Sequence, residues 1–169
     1  MTRPADPVTA FIGLGSNMGD PAANLAAALD AVAALPGVSL AAVSPLYRTE
    51  PQGVREQPFF LNQIARLVVT IPPLELLAAL LGIEDGLGRV RGLRFGPRVL
   101  DLDLLLFGNT CMDNERLTLP HPRMLERAFV LVPLADLAPD LVLPQGLTVR
   151  EALSRLTFTL RGNSIFQQG

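Results

Sequence analysis

Two aspartates one residue apart, Asp101 and Asp103, follow a stretch carrying four arginines, Arg89, Arg91, Arg94 and Arg98. The apolar run to Phe107 makes Val99–Phe107 read as a strand. Side chains alternate along a strand, so both carboxylates face one way, about 7 Å apart at the Cα. Leu100, Leu102, Leu104 and Leu106 are then expected on the opposite, buried face. Two hard anionic groups at that spacing can hold one or two Mg²⁺ ions. Guanidinium forks grip phosphate oxygens bidentately. Together they point to nucleotide polyphosphate chemistry.

Taken alone, the aspartate pair favours the plainer reading of a half-exposed strand with a wet face. The arginines shift that balance. They sit on a glycine-punctuated loop without the intervening acids of a solvated, ion-paired surface. Such a loop suits folding over an anion and closing after it binds. His121, the sole histidine, lies between Pro120 and Pro122 with Arg116 and Arg127 nearby. An ordinary surface imidazole is the plain reading there, and a phosphate hydrogen bond the sharper one. Asn62 interrupts an apolar strand, and a buried amide needs partners; it could read the edge of a flat heterocycle. Phe59, Phe60 and Phe129 read first as core. Gly13-Leu14-Gly15-Ser16-Asn17-Met18-Gly19-Asp20 lacks the Rossmann spacing and reads as a tight strand-to-helix turn. Nucleophilic catalysis has little support, because Cys111 has no activating partner in the pattern.

These groups need a scaffold. Val8–Leu14 reads as a buried strand. Asp20 is a good N-cap with Pro21 at the first helical position, opening a helix to Leu35. Val38–Val43 is a second strand that can run past Pro45 to Tyr47, and Arg48–Pro58 reads as a loop. Leu61–Ile71 is a third strand, followed by a helix over Leu74–Leu87. Shorter helices are expected at Met124–Arg127, Val130–Leu137 and Val149–Arg155. The order predicts an α+β fold, a ferredoxin-like β-α-β-β-α-β unit with a mainly antiparallel sheet and additional C-terminal helices. Helices should cover one sheet face and leave the other to loops and ligand.

The 169 residues fit a single domain over 1–169 with a substantial core, 49 % of them apolar and 18 % charged. The segment Thr157–Gly169 matches no pattern and reads as a candidate disordered tail. A net charge of −2 argues against a general nucleic-acid binder. All 14 basic residues are arginine, which excludes a Walker A lysine. No apolar run approaches the roughly 18 residues of a membrane helix, and the N-terminus lacks a signal-peptide core. A single cysteine suits a reducing compartment, so cytoplasmic localisation is expected, with no membrane, nucleic-acid or obligate protein partner.

Gly15-Ser16-Asn17, Tyr47-Arg48-Thr49, Phe60-Leu61-Asn62, Gly88-Arg89-Val90-Arg91, Gly96-Pro97-Arg98, Leu100-Asp101-Leu102-Asp103 and Leu119-Pro120-His121-Pro122 follow one another in a telling order. The chain so resembles the 6-hydroxymethyl-7,8-dihydropterin pyrophosphokinases of folate synthesis from about residue 9 to residue 145. The resemblance implies transfer of pyrophosphate from ATP to the pterin hydroxymethyl group, with AMP released. It also implies that Asp101 and Asp103 hold two Mg²⁺ ions bound with ATP. Arg89 and Arg98 take the catalytic, charge-stabilising roles by that likeness. Glu84, Arg91, Arg116, His121 and Arg127 complete the ATP site, and Thr49, Pro51, Phe60, Asn62 and Phe129 form the pterin slot. Phe95, Phe60, Leu81, Gln52 and Pro122 depart from the commonest family residues, and the arginine loop is one residue shorter. Two other readings stand beside this one: a catalytically silent ligand-binding domain, and a nucleotidyl transferase that releases pyrophosphate instead of AMP.

Overall fold

The computed structural model describes residues 6–50, 57–87 and 99–168. Its chain order is β1 (Val8–Ser16), α1 (Pro21–Ala33), β2 (Val38–Val43), β3 (Tyr47–Thr49), β4 (Phe60–Val69), α2 (Pro73–Gly86) and β5 (Asp101–Phe107). A two-stranded ribbon follows, β6 (Met112–Asp113) with β7 (Thr118–Leu119). A 3₁₀ turn at Met124–Glu126 leads into α3 (Ala128–Leu137) and α4 (Val149–Ser154), and the chain closes with β8 (Phe158–Arg161) and β9 (Ser164–Gln167).

Local signals account for several boundaries. Asp20 caps α1 by accepting from the Ala23 N–H at 3.2 Å, with Pro21 in the first turn. That satisfies one of the donors a helix start leaves open. Gly37 ends the connection to β2 at φ 74°, and a Cβ there would come within 2.8 Å of the Ile71 side chain. Only glycine fits that turn without strain.

β1 is the spine of the sheet, antiparallel to β4 on one side and to β5 on the other. β4 also pairs with β2 and β3, giving the order β5-β1-β4-β3-β9-β8 with β2 beside β4. β2 does not run on to Tyr47. Pro45 carries no N–H for the ladder, and Ser44 fills the break instead. Its hydroxyl accepts from the Ile64 N–H at 2.9 Å and its own N–H bonds the Ile64 carbonyl at 2.8 Å. The segment read as a loop from Arg48 therefore begins as strand β3.

Two further expectations are corrected. Phe158–Arg161 and Ser164–Gln167 form a hairpin, where the sequence offered a candidate disordered tail. β9 docks parallel to β3, pairing Arg48 with Ser164 and Thr49 with Ile165. The sheet is therefore mixed. Such edge pairing is a long-range event that no local pattern announces.

Leu100, Leu102 and Leu104 pack as expected in the main core with Ile12, Leu14, Leu67 and the buried faces of α1 and α2. Leu106 does not. A bulge shifts the register so that Phe11 faces Leu106 while Ile12 faces Leu104. The extra residue, Leu105, moves the strand on by one, and a one-residue slip exchanges faces. Leu105 and Leu106 consequently join Phe11, Ile64, Val130 and Leu131 in a second core under α3 and α4. The face expected to stay open thus carries two helices, and the cavity lies beside them.

Candidate active site

Strand register places the site's residues in two rows. In the first, Asp101 on β5 pairs with Gly15 on β1, Gly15 with Asn62 on β4, and Asn62 with Tyr47 on β3. In the second, Asp103 pairs with Gly13 and Gly13 with Ile64. The acids and the amide are thus two strands apart, about 10 Å. Only glycines lie between them.

Gly13 and Gly15 are therefore misread as turn residues by local pattern. They continue β1 and floor a cavity of about 320 Å³. A Cβ on Gly15 would sit 3.0 Å from the Asn62 Oδ1. The strand-to-helix turn expected within residues 13–20 is formed at its far end, at Gly19, with φ 66°. Thr49, Phe60, Asn62, Gln63, Asp101, Asp103, His121, Arg127 and Phe129 complete the polar and aromatic lining. The size and this mixture of apolar walls with a few convergent polar groups are typical of a small-molecule site.

At the β3–β4 end, Asn62 is 9 % exposed and its Nδ2 donates to the Thr49 hydroxyl at 2.5 Å. That bond fixes the amide plane. Asn17, also buried, donates to Gln57 Oε1 and the Pro58 carbonyl, both at 3.0 Å, and so ties the first strand's exit to the segment entering β4. Tyr47 donates its hydroxyl to Asp136 on α3, and burial together with that carboxylate pushes its pKa up to about 12. The tyrosine braces β3 against α3. Phe59, by contrast, lies outside the lining, beneath Arg48 at 4.6 Å and edge-on to Phe166 at 6.4 Å.

At the opposite end, the Arg127 guanidinium sits 5.4 Å above the Phe129 ring, with its Nε buried and unbonded among the described residues. Burial holds its pKa below the ordinary arginine value, although Asp103 and Asp101 pull the other way. The cation is desolvated and under-compensated, and an anion in the cavity would relieve it. His121 is held neutral for related reasons. Burial first, then Arg127 and Arg123, push its pKa down from 6.5 to about 4. Its Nδ1 accepts from the Arg123 N–H at 3.2 Å, which leaves the proton on Nε2.

This imidazole makes the ligand-free protein acid-sensitive. Between about 6.5 and about 4 the unfolded chain binds a proton that the folded chain refuses. Stability therefore rises with pH across that window and is lost as pH falls through it. Urea titrations of wild type and His121→Asn from pH 7 to pH 4.5 should show the difference between the two shrinking or reversing toward acid. Parallel curves would contradict a neutral His121.

Asp101 and Asp103 suit Mg²⁺ by their chemistry. No group of three or more His, Cys, Asp or Glu gathers among the described residues, so these residues offer no closed cage. Mg²⁺ is commonly held by one or two carboxylates while keeping waters and phosphate oxygens as its other ligands.

Not every expected residue meets here. Glu84 is 1 % exposed on the sheet-facing side of α2, with Leu76 and Leu80, outside the cavity lining. Arg116 lies exposed in the turn between β6 and β7, also outside the lining. Arg89, Arg91, Arg94 and Arg98, their expected closure over a ligand, and Pro51 fall outside the described residues. Glu50, Gln63, Leu105 and Val130 line the cavity without having been anticipated. Only the unusual glycine spacing in β1 could have hinted at the floor.

Known proteins match this chain. The family model of the 7,8-dihydro-6-hydroxymethylpterin-pyrophosphokinases matches residues 11–139. A Pseudomonas aeruginosa protein named 2-amino-4-hydroxy-6-hydroxymethyldihydropteridine pyrophosphokinase is 53 % identical over 148 residues, covering 88 % of this chain and 91 % of its own. A Haemophilus influenzae protein of the same name is 45 % identical over 148 residues, covering 88 % and 92 %. Among solved structures, Plasmodium falciparum HPPK-DHPS with pteroate aligns with a TM-score of 0.71 at 13 % identity. That alignment covers 99 % of this chain but 48 % of the Plasmodium chain, so this chain spans about half of it. At such low identity the likeness speaks to the fold alone.

Proposed function

The chain belongs to the 7,8-dihydro-6-hydroxymethylpterin-pyrophosphokinase family, and from that premise we propose that it transfers the β,γ-pyrophosphoryl group of ATP to 6-hydroxymethyl-7,8-dihydropterin in tetrahydrofolate synthesis. The hydroxymethyl oxygen bonds to the β-phosphorus and gives up its proton to solvent, the bond from that phosphorus to the α,β-bridging oxygen breaks, and AMP leaves with the bridging oxygen. One observation carries the reading. A glycine-floored cavity has paired carboxylates and a buried, under-compensated arginine at one end, and a clamped amide at the other.

Each end then has a task. The Asn62 amide, its plane set by Thr49, hydrogen-bonds the pterin edge, and Phe60 and Phe129 supply the aromatic walls against which the ring lies. Arg127 and neutral His121 bind phosphate oxygens, one by charge and the other through its Nε2–H. Asp101 and Asp103 would hold Mg²⁺ with ATP, and the metal when bound would neutralise phosphate charge. Glu84, Arg91 and Arg116 complete the ATP site, and Pro51 the pterin slot, by family likeness. Arg89 and Arg98, by the same likeness, stabilise charge on the transferred group and on departing AMP. Catalysis is chiefly positioning and electrostatics, of which orientation alone can supply about 7–11 kcal/mol.

The strand order β5-β1-β4, with β2 and β3 beyond β4, supports a ferredoxin-like reading of the core that carries the site. No described helix is long and apolar enough to cross a membrane. The cytoplasm, where ATP is abundant and the unpaired Cys111 stays reduced, is the expected place of work.

The test is product analysis. With ATP, Mg²⁺ and the pterin, AMP should form in step with pterin diphosphate, and omission of the pterin should stop it. Release of inorganic pyrophosphate would indicate nucleotidyl transfer instead, and no nucleotide turnover would leave a binding domain only.

A further inference from the structure

The hairpin β8–β9 lies beyond the stretch matched by the family model, which ends at residue 139. It nevertheless reaches the site. Gln167 accepts from the Ala128 N–H through Oε1 at 2.8 Å and donates through Nε2 to the Glu126 carbonyl at 2.6 Å. Those two backbone groups flank Arg127. Arg127 itself is the single extended residue between the 3₁₀ turn and α3, at φ −114° and ψ 110°. Its own N–H makes only a long bond of 3.4 Å to Met124 O, and it gives α3 no side-chain cap. Gln167 supplies the first N–H of α3 with an acceptor that the chain around Arg127 does not provide.

The rest of the hairpin is anchored on both sides of the cavity. Ile165 packs with Tyr47, Ala128 and Val132 in a third core. Its backbone pairs with Thr49, whose hydroxyl holds Asn62. The hairpin is therefore a brace spanning β3 and the start of α3.

We infer that Gln167 is a positioning residue, which fixes the backbone on either side of Arg127 and so aims its guanidinium at the nucleotide phosphates. This rests on the assignment of Arg127 to phosphate binding above. It adds that the C-terminal hairpin sets nucleotide affinity, although it touches no substrate.

The experiment is a double-mutant cycle of Gln167→Met and Arg127→Ala, read as the Kd of a non-hydrolysable ATP analogue with Mg²⁺ and, separately, the Kd of the pterin. Met keeps the length of Gln and removes both hydrogen bonds. Gln167→Met is expected to weaken analogue binding about tenfold, the equivalent of losing well-made hydrogen bonds, while pterin binding changes less than about twofold. In the Arg127→Ala background the same change should have no further effect, because it acts through Arg127. Additive losses, or equal losses for both ligands, would mean that Gln167 only supports the fold. An unchanged analogue Kd in Gln167→Met alone overturns the inference and spares the Arg127 assignment. An unchanged Kd in Arg127→Ala overturns the assignment and leaves the brace nothing to aim. If the Met variant does not fold, Gln167→Glu, which keeps the Ala128 acceptor, is read through the same cycle.

Discussion

Asp103→Ala is expected to lower kcat by at least about a thousandfold, because it removes one of the two carboxylates proposed to hold a divalent cation, which would be worth several kcal/mol there. The fold should survive. Asp103 is only partly buried and its register partner on β1 is Gly13, so the loss falls chiefly on Arg127, whose buried charge that carboxylate helps to offset. The change in unfolding free energy should be a loss of about 1–3 kcal/mol, the cost of leaving Arg127 less compensated. Asp103→Asn is the sharper control, since it keeps volume and loses charge, and it should be nearly as inactive as Ala. Steady-state AMP release alongside urea unfolding checks both halves. Activity near wild type in either variant would remove the metal site from β5.

Gly15 is the second sensitive point, for a reason of space. Its missing Cβ leaves room for the Asn62 amide oxygen at what would be 3.0 Å, and Thr49 holds that amide so that it cannot swing aside cheaply. Gly15→Val is expected to raise the KM for the pterin roughly 10- to 100-fold, the range of an overpacking cost of a few kcal/mol. The analogue Kd should move by less than about threefold. Gly15→Ala should fall between wild type and Val. If Val instead weakens nucleotide binding and spares the pterin, the two ends of the cavity have been assigned the wrong way round.

The two sites differ in how readily a sequence discloses them. Asp101 and Asp103 declare themselves through alternation, because a period of two needs nothing beyond the strand that carries it. Asp20 and Pro21 start α1 by rules that act over three residues, and the structure places them as those rules require. Gly13 and Gly15 were misread for the opposite reason. Their role appears only when β4 brings Asn62 and β5 brings Asp101 alongside, from positions 47 and 86 residues further along the chain. Leu106 changed faces because of one bulged residue, which periodicity cannot register.

Local chemistry therefore settled the helices and the strands β1, β2, β4 and β5 in outline, though not β3 or the β8–β9 hairpin, together with where α1 begins and which residue types could meet a metal or a phosphate. It could not say that Gln167 ends beside Arg127, that Ile165 backs Thr49, or that two glycines clear the floor between acid and amide. Those relations join residues far apart in sequence, and they exist only once burial of three apolar clusters has fixed which strands are neighbours. Propensity acts over a few residues, whereas register is a property of the whole sheet.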